Sequence, residues 1–241
     1  MLSADLLHKY GLPEDEIVDA VECAVARTLT TAFHRRVVVR AEGELEIIAY
    51  PALGHPVEIP LKSISKKLRR HIIHNVEAEL QKRQIVQESM ILQELQGRVF
   101  TGVVGRIGSL GTLHVTLEID DVFKPLILFC ECPLRYQPPH ERSMYRIGEQ
   151  RSFLVTSVRP VMVSDDVAKV RIVLNRTSRT LPALLLENLT GIAGIECRRR
   201  IAGGFSELVT PVRLPKASIN TVGKELKEHV QVLIAQKNNQ L

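Results

Sequence analysis

The chain has 241 residues, of which 45% are hydrophobic and 24% charged, an ordinary composition for a globular protein. No apolar run approaches the roughly 18 residues that a membrane-spanning helix needs. Aromatic residues make up only 4%, without Trp, which argues against wide aromatic platforms for nucleic-acid bases. The opening MLSADLLHK lacks the basic and apolar segments of a signal peptide, so we expect a cytoplasmic protein without membrane partners.

The net charge of +5 is unevenly distributed along the chain. Residues 1–96 carry 12 basic and 14 acidic side chains, residues 97–180 carry 12 and 8, and residues 181–241 carry 8 and 5. The surplus of Lys and Arg therefore belongs to the later part of the chain. Such a surplus suits a polyanion such as RNA, although unevenly charged solvated surfaces are also common.

The first predicted module covers residues 1–96 and begins with a helix. Pro13 is a favourable first helical residue, and acidic residues 14–16 complement the positive end of the helix dipole. Apolar residues recur every three or four positions from Ile17 to Ala32. Three short β-like runs follow, at residues 37–40, 45–48 and 57–59.

A long second helix is predicted to follow these strands. Ser63 or Ser65 can cap it, and its apolar stripe runs from Ile64 to Leu95 before Gly97 stops it. About thirty residues at about 1.5 Å each span roughly 45 Å. We therefore expect this helix to connect two modules.

The second predicted module, residues 97–180, is β throughout. Five short strands, one preceded by the long connection 133–150, fit a small Greek-key barrel of the OB type. Another small β-barrel would fit the pattern equally well. The predicted strands are 98–107, 113–119, 123–129, 152–158 and 167–174.

Cys130 and Cys132 lie two residues apart near the third of these strands. A zinc site needs four ligands, and no second pair of ligands follows at a suitable spacing. Residues two apart share one face of a strand, so we expect two buried thiols and no metal or other cofactor.

The third predicted module, residues 181–241, is reached through the polar segment Asn175–Thr180. A leucine-rich helix at 182–189 comes directly after this segment. The predicted elements then continue with strands at 195–201 and 207–214, a helix at 215–229 and a short strand at 230–235.

The order and sequence of these elements resemble the bacterial transcription elongation factor NusA. LPEDEIVDAVECAVA at 12–26 is similar to the first helix of that family's polymerase-binding domain, and 65–95 resembles its long connecting helix. QGRVFTGVV at 96–104 resembles the opening strand of its S-one barrel, an OB-type domain. NRTSRTLPALLLENL at 175–189 is similar to the passage from that barrel into a KH domain.

The resemblance implies an α+β multidomain protein: an N-terminal α/β domain with a long connecting helix, a five-stranded S-one barrel, and a C-terminal KH-like module. It also implies two partners, RNA polymerase for residues 1–96 and single-stranded nascent RNA for the barrel. The family has two KH domains, whereas this sequence covers part of one. We expect no Gly-x-x-Gly clamp for phosphates in residues 181–241, and therefore a degenerate KH domain.

The resemblance implies an RNA-binding patch on the outward side of the second and third barrel strands. Alternation places His114 outward. On the next strand we expect Lys124, Leu126 and Leu128 to share a face, with Leu128 where the family often has His. The patch would therefore be half present. The candidate RNA-binding residues are His114, Lys124, Arg98 and Arg106 in the barrel, with the basic run Arg198, Arg199 and Arg200 in the third module.

Sequence motifs of catalysis are absent: the chain has no P-loop, no Gly-x-Ser-x-Gly and no His-Glu-x-x-His. We therefore expect a binding protein that uses no small-molecule substrate. Two other functions fit the pattern, namely an S-one protein acting on mRNA or ribosomes, and a polymerase-binding module that does not contact RNA. An RNA-processing enzyme with an accessory barrel is a third.

Overall fold

The computed structural model describes residues 9–41, 45–119, 126–164 and 167–235. The chain divides into two compact units. The first contains Met1–Ile91 and Arg159–Val170, and the second contains Leu92–Val158 and Arg171–Leu241. Helices and strands are mixed throughout, which confirms the α+β class. No helix in the described ranges is both long enough and apolar enough to span a membrane.

The first unit opens with helix α1 (Glu14–Phe33), which follows Pro13 and has three acidic residues in its first turn, as predicted. Its buried face carries Ile17, Val21 and Leu29 among others, and His34 ends the helix with a left-handed backbone. An antiparallel sheet follows in the order β1-β2-β3. Its strands are β1 (Arg36–Arg40), β2 (Glu46–Tyr50) and β3 (Val57–Glu58).

Helix α2 (Lys66–Leu92) is the long helix that the sequence predicted. The hydroxyl of Ser65 accepts a hydrogen bond from the backbone N–H of Leu68 at 3.2 Å, which caps the first turn. At about 1.5 Å per residue the 27 residues span roughly 40 Å. A short 3-10 turn (Gln93–Leu95) follows, and Gly97 then adopts a φ of +83°, a conformation that suits glycine.

Five strands, most of whose residues belong to the second unit, form a closed barrel. They are β4 (Val99–Ile107), β5 (Leu113–Ile119), β6 (Leu126–Cys132), β7 (Gln150–Ser164) and β8 (Val167–Asn175). The strand order around the barrel is β4-β5-β6-β8-β7, and β6 runs parallel to β8. Gly102 faces the interior, where a Cβ would lie 2.5 Å from Val115 Cγ1, so only glycine fits there.

Two of the predicted barrel strands differ from those observed. Strand β6 runs on to Cys132, three residues past the predicted end, because both cysteines pair with β5. Strand β7 continues to Ser164, well beyond the predicted end at residue 158.

The last part of the chain, which we call the tail, has the order helix, strand, strand, helix, strand. Its elements are α3 (Leu181–Thr190), β9 (Glu196–Ile201), β10 (Phe205–Thr210), α4 (Lys216–Leu226) and β11 (His229–Ile234). The sheet order is β11-β10-β9, with β10 parallel to β11 and antiparallel to β9. Helix α4 ends three residues before the predicted end because Lys227 takes a left-handed backbone (φ +55°).

Arg176, in the polar segment between β8 and α3, joins the barrel to the tail. Its side chain is fully buried. It donates to both carboxylate oxygens of Glu141 at 2.8 Å, to the carbonyl of Ser152 at 2.7 Å, and to Glu225 of α4 through a carboxylate oxygen at 3.1 Å and the carbonyl at 3.2 Å. Five donors therefore meet five acceptors, which is the full capacity of a guanidinium.

A second buried ion pair lies beside this segment. Arg200 of β9 has 2% of its side chain exposed, and Glu228 before β11 has none. Arg200 donates to Glu228 at 2.6 Å and also to the carbonyl of Ser178. Glu228 accepts further hydrogen bonds from the Gly203 N–H and the Ser206 hydroxyl. Two buried arginines therefore fix the polar segment Asn175–Thr180. Arg176 within the segment bonds Glu141 and Glu225, and Arg200 bonds the carbonyl of Ser178.

Candidate nucleic-acid interface

Strand β5 presents alternate side chains to the barrel interior and to its outer surface. Leu113, Val115 and Leu117 are buried, whereas His114 and Thr116 between them are half-buried. This confirms the predicted outward direction of His114.

On strand β6 the inward and outward faces are the reverse of the predicted ones. Leu128, Cys130 and Cys132 are buried, so they form the inward face, while Ile127 and Phe129 are exposed. The prediction that Leu128 occupies the RNA-facing position is therefore wrong. The signal for the correct phase was in the sequence, because two cysteines that share a buried face put Leu128 on that face as well.

Phe129 is the most exposed large aromatic side chain among the described residues, with 79% of its surface accessible. Sequence reasoning did not select it. Strand pairing places Phe129 opposite Thr116 of β5, and Thr116 opposite Val103 of β4. The next row contains Arg106, His114 and Glu131 from the same three strands.

We call Arg106, His114, Thr116 and Phe129 the barrel patch. Directly opposed residues in antiparallel strands share a face, so the strand pairing brings these four side chains to one surface. The patch combines an aromatic ring, an imidazole and a guanidinium. That combination allows stacking on a base beside contact with a phosphate.

Arg98, another predicted RNA-binding residue of the barrel, does not belong to the barrel patch. Arg98 precedes β4, eight residues before Arg106, so about 26 Å of extended chain separates them. Its guanidinium lies instead over the ring of Phe100, 5.6 Å from the ring centre. Lys124 lies outside the described residues.

The three predicted arginines of the tail separate into two groups. Arg198 and Arg199 are exposed on β9. Arg200 is buried against Glu228, with 2% of its side chain exposed, and its guanidinium also bonds the carbonyl of Ser178, so it is not accessible to a phosphate. Arg200 is therefore a structural residue in this conformation and does not belong with the exposed set.

One Gly-x-x-Gly sequence does occur in the tail, at Gly191–Gly194, so the expectation of none was wrong. It follows α3, at the negative end of that helix dipole, which disfavours phosphate. The Glu187 carboxylate already accepts hydrogen bonds from the N–H groups of Gly194 at 2.8 Å and Ile195 at 3.0 Å. The carboxylate of Glu187 thus occupies the backbone N–H groups that a phosphate would need.

The passage from α4 to β11 contains no such loop. Helix α4 ends at Leu226, and β11 begins at His229 after only two residues. The N–H of Glu228 bonds the carbonyl of Gly223 at 3.0 Å, which closes this short turn.

The two barrel thiols are buried on the inward face of β6. Burial raises the pKa of Cys130 to about 12 and the pKa of Cys132 to about 12, so both remain protonated at neutral pH. Within the described ranges, no three His, Cys, Asp or Glu side chains are grouped as a metal site.

The chain was also compared with known proteins. No model of a protein family matches it, and no curated protein matches it significantly.

Proposed function

We propose that this protein is a NusA-like transcription factor. In this account it binds single-stranded nascent RNA through the barrel patch and RNA polymerase through its first unit. It acts by binding, and so alters pausing, termination or antitermination, without making or breaking a bond. The barrel patch is the observation that carries the proposal.

The chemistry of the patch favours single-stranded RNA. The phenyl ring of Phe129 presents apolar surface to water. An unpaired base that stacks on the ring removes this surface from water, which is favourable. Base stacking on an aromatic side chain contributes about 1–3 kcal/mol. Arg106 and His114 lie in the neighbouring row, where a guanidinium can contact the phosphate of the same nucleotide.

The order of the barrel strands supports an OB-type domain. Numbered from β4, the closed order is first, second, third, fifth, fourth. Barrels of this type bind oligonucleotides on their second and third strands. Those strands correspond to β5 and β6, which carry His114 and Phe129.

The tail supports the proposal of a degenerate KH domain. Its helix–strand–strand–helix–strand order contains the elements on either side of a KH phosphate clamp, with α4 and β11 as the helix and strand that follow the missing clamp. Backbone binding of phosphate, which defines KH domains, is therefore not part of the proposed mechanism.

The first unit has a surface that suits a protein partner. Val86, Met90 and Ile91, near the end of α2, are exposed, and Val86 and Met90 line a groove of about 280 Å³ with Glu16 of α1. Exposed apolar groups of this kind mark interaction sites. Residues 1–96 carry 12 basic and 14 acidic side chains, which makes a polyanion an unfavourable partner.

RNA titration of two Phe129 variants tests the proposal. Phe129→Ala should weaken the binding of a single-stranded oligonucleotide by about 1–3 kcal/mol with little change in its salt dependence, and Phe129→Tyr should retain binding. Leu53→Ala, an exposed apolar residue in the first unit, is the matched control. Equal affinity for all four proteins would refute RNA binding at the barrel patch.

A further inference from the structure

The three-stranded sheet of the tail has one covered face and one open face. Cys197 and Leu208 point into the core beneath α3 and α4 and are buried. The opposite face carries His229 and Gln231, which are exposed. An open sheet face with accessible side chains is available for a ligand.

Two rings stack on each other on this open face. Phe205 of β10 is paired in register with His229 of β11, and their ring centres are 6.1 Å apart with an angle of 18° between the planes. On the other side, Phe205 faces Ile201 of β9, whose side chain is exposed. We call these three residues the tail platform: Ile201 and His229 are exposed, and Phe205 between them is half-buried.

Polar groups occupy the next row of the same face. Strand pairing places Arg199, Glu207 and Gln231 side by side across the three strands, directly beside the platform. Arg199 and its neighbour Arg198 form no side-chain hydrogen bond or ion pair with another described residue. Their guanidinium groups are therefore available to an external anion.

The charge of the tail favours a polyanion. Residues 181–241 carry 8 basic and 5 acidic side chains. Glu225 and Glu228, two of those five, are already bound to the buried Arg176 and Arg200. Each of these pairs is neutral, so the basic surplus of the tail remains on its other side chains.

We propose that the tail platform is a second binding surface for single-stranded RNA, on which an unpaired base stacks against Phe205 and His229 while Arg199 contacts a neighbouring phosphate. Aromatic side chains on an open sheet face bind bases in this way, and the stacking tolerates any base sequence. The inference rests on the proposed function for the choice of RNA, but it involves residues outside the barrel patch.

The test uses the full-length chain and an oligouridine of about 16 nucleotides, the upper end of the site sizes of a single OB fold. His229→Ala should reduce the affinity at least about 5-fold with an unchanged salt slope, as expected for a lost stacking contact. Arg199→Ala should lower the log-log salt slope by about 0.7, as expected for one lost phosphate contact. Leu189→Ala, an exposed apolar residue of α3 off the sheet, should bind like the unmodified protein.

Photo-crosslinking to a thiouridine-containing oligonucleotide, mapped by mass spectrometry, separates the two proposed surfaces. Crosslinks at Phe205 or His229 as well as at Phe129 are the expected result. Crosslinks at Phe129 alone, with His229→Ala unchanged, would overturn the tail platform and leave the barrel patch intact. Crosslinks at the platform alone would support it and overturn the barrel patch. If neither surface reacts and both variants bind normally, the open face serves a protein partner or none, and both RNA assignments fail.

Discussion

Replacing Arg176 by Met should destabilise the second unit strongly. The thioether chain approximately fills the space of the arginine stem but provides none of the five hydrogen bonds to Glu141, Ser152 and Glu225. Only 2% of the Glu141 side chain is exposed, so its carboxylate would remain buried without a cation. Breaking a buried ion pair in this way costs about 3–5 kcal/mol.

The pH dependence of this loss has a definite sign. Burial alone would raise the pKa of Glu141, but hydrogen bonds and charge from Arg176 hold it below its usual value in the intact protein. The ion pair therefore stabilises the fold above the ordinary pKa of a glutamate, about 4.3, and this contribution is lost as pH falls through the lowered value. In Arg176→Met, burial prevails and raises the pKa of Glu141, so the variant should lose stability as pH rises. The difference between the two proteins should therefore be largest near neutral pH and shrink towards pH about 4.

Urea unfolding of the full chain, followed by far-ultraviolet circular dichroism, measures this difference at each pH. Hydrogen exchange localises it to Leu92–Val158 and Arg171–Leu241, because the two units need not unfold together. The double variant Arg176→Met with Glu141→Gln should recover part of the loss, since it no longer buries a charge. A loss below about 1 kcal/mol, or one that grows as pH falls, would refute the assigned role of the pair.

Three further substitutions have expected outcomes. Gly203→Ala should cost about 1–2 kcal/mol or more in urea unfolding, because Gly203 has a φ of +82° and the added Cβ would clash with the His140 ring; removing that ring should restore only the part of the loss that the clash causes. Lys227→Gly should stabilise the chain by about 1 kcal/mol in the same measurement, since Lys227 ends α4 in a left-handed conformation that glycine adopts freely. Met90→Asp should reduce the capture of purified RNA polymerase by the tagged protein. The control Lys67→Asp, at the other end of the same helix, should not reduce it. Equal capture by both variants would show that the exposed end of α2 is not part of the docking surface.

Local sequence patterns predicted the elements well because most of these patterns have one clear period. On β5, apolar and polar residues alternate from Leu113 to Leu117, so both the strand and its inward face could be assigned. On β6, the run from Leu126 to Phe129 is apolar at every position, so alternation did not show which side chains point into the barrel. The expected burial of Cys130 and Cys132 was the one sequence signal for the phase, and the pairing with β5 shows that Phe129 points outward.

The roles of the arginines could not be predicted from local sequence. Arg198, Arg199 and Arg200 form one basic run, so the sequence does not distinguish them. Arg200 is buried because it pairs with Glu228, and that partner lies 28 residues later in the chain. Arg176 likewise depends on Glu141 and Glu225, which come from other elements. Long-range partners decide which charged side chains are accessible, and a single sequence does not contain that pairing.

Affinity purification of the tagged full-length protein from a native lysate, with and without ribonuclease, tests the proposed function most directly. The account predicts that core RNA polymerase is recovered and stays bound after ribonuclease treatment, because the first unit would contact the polymerase itself. RNA should be recovered only in the untreated sample. Recovery of ribosomal proteins or mRNA without polymerase, or loss of polymerase on ribonuclease treatment, would contradict a NusA-like function.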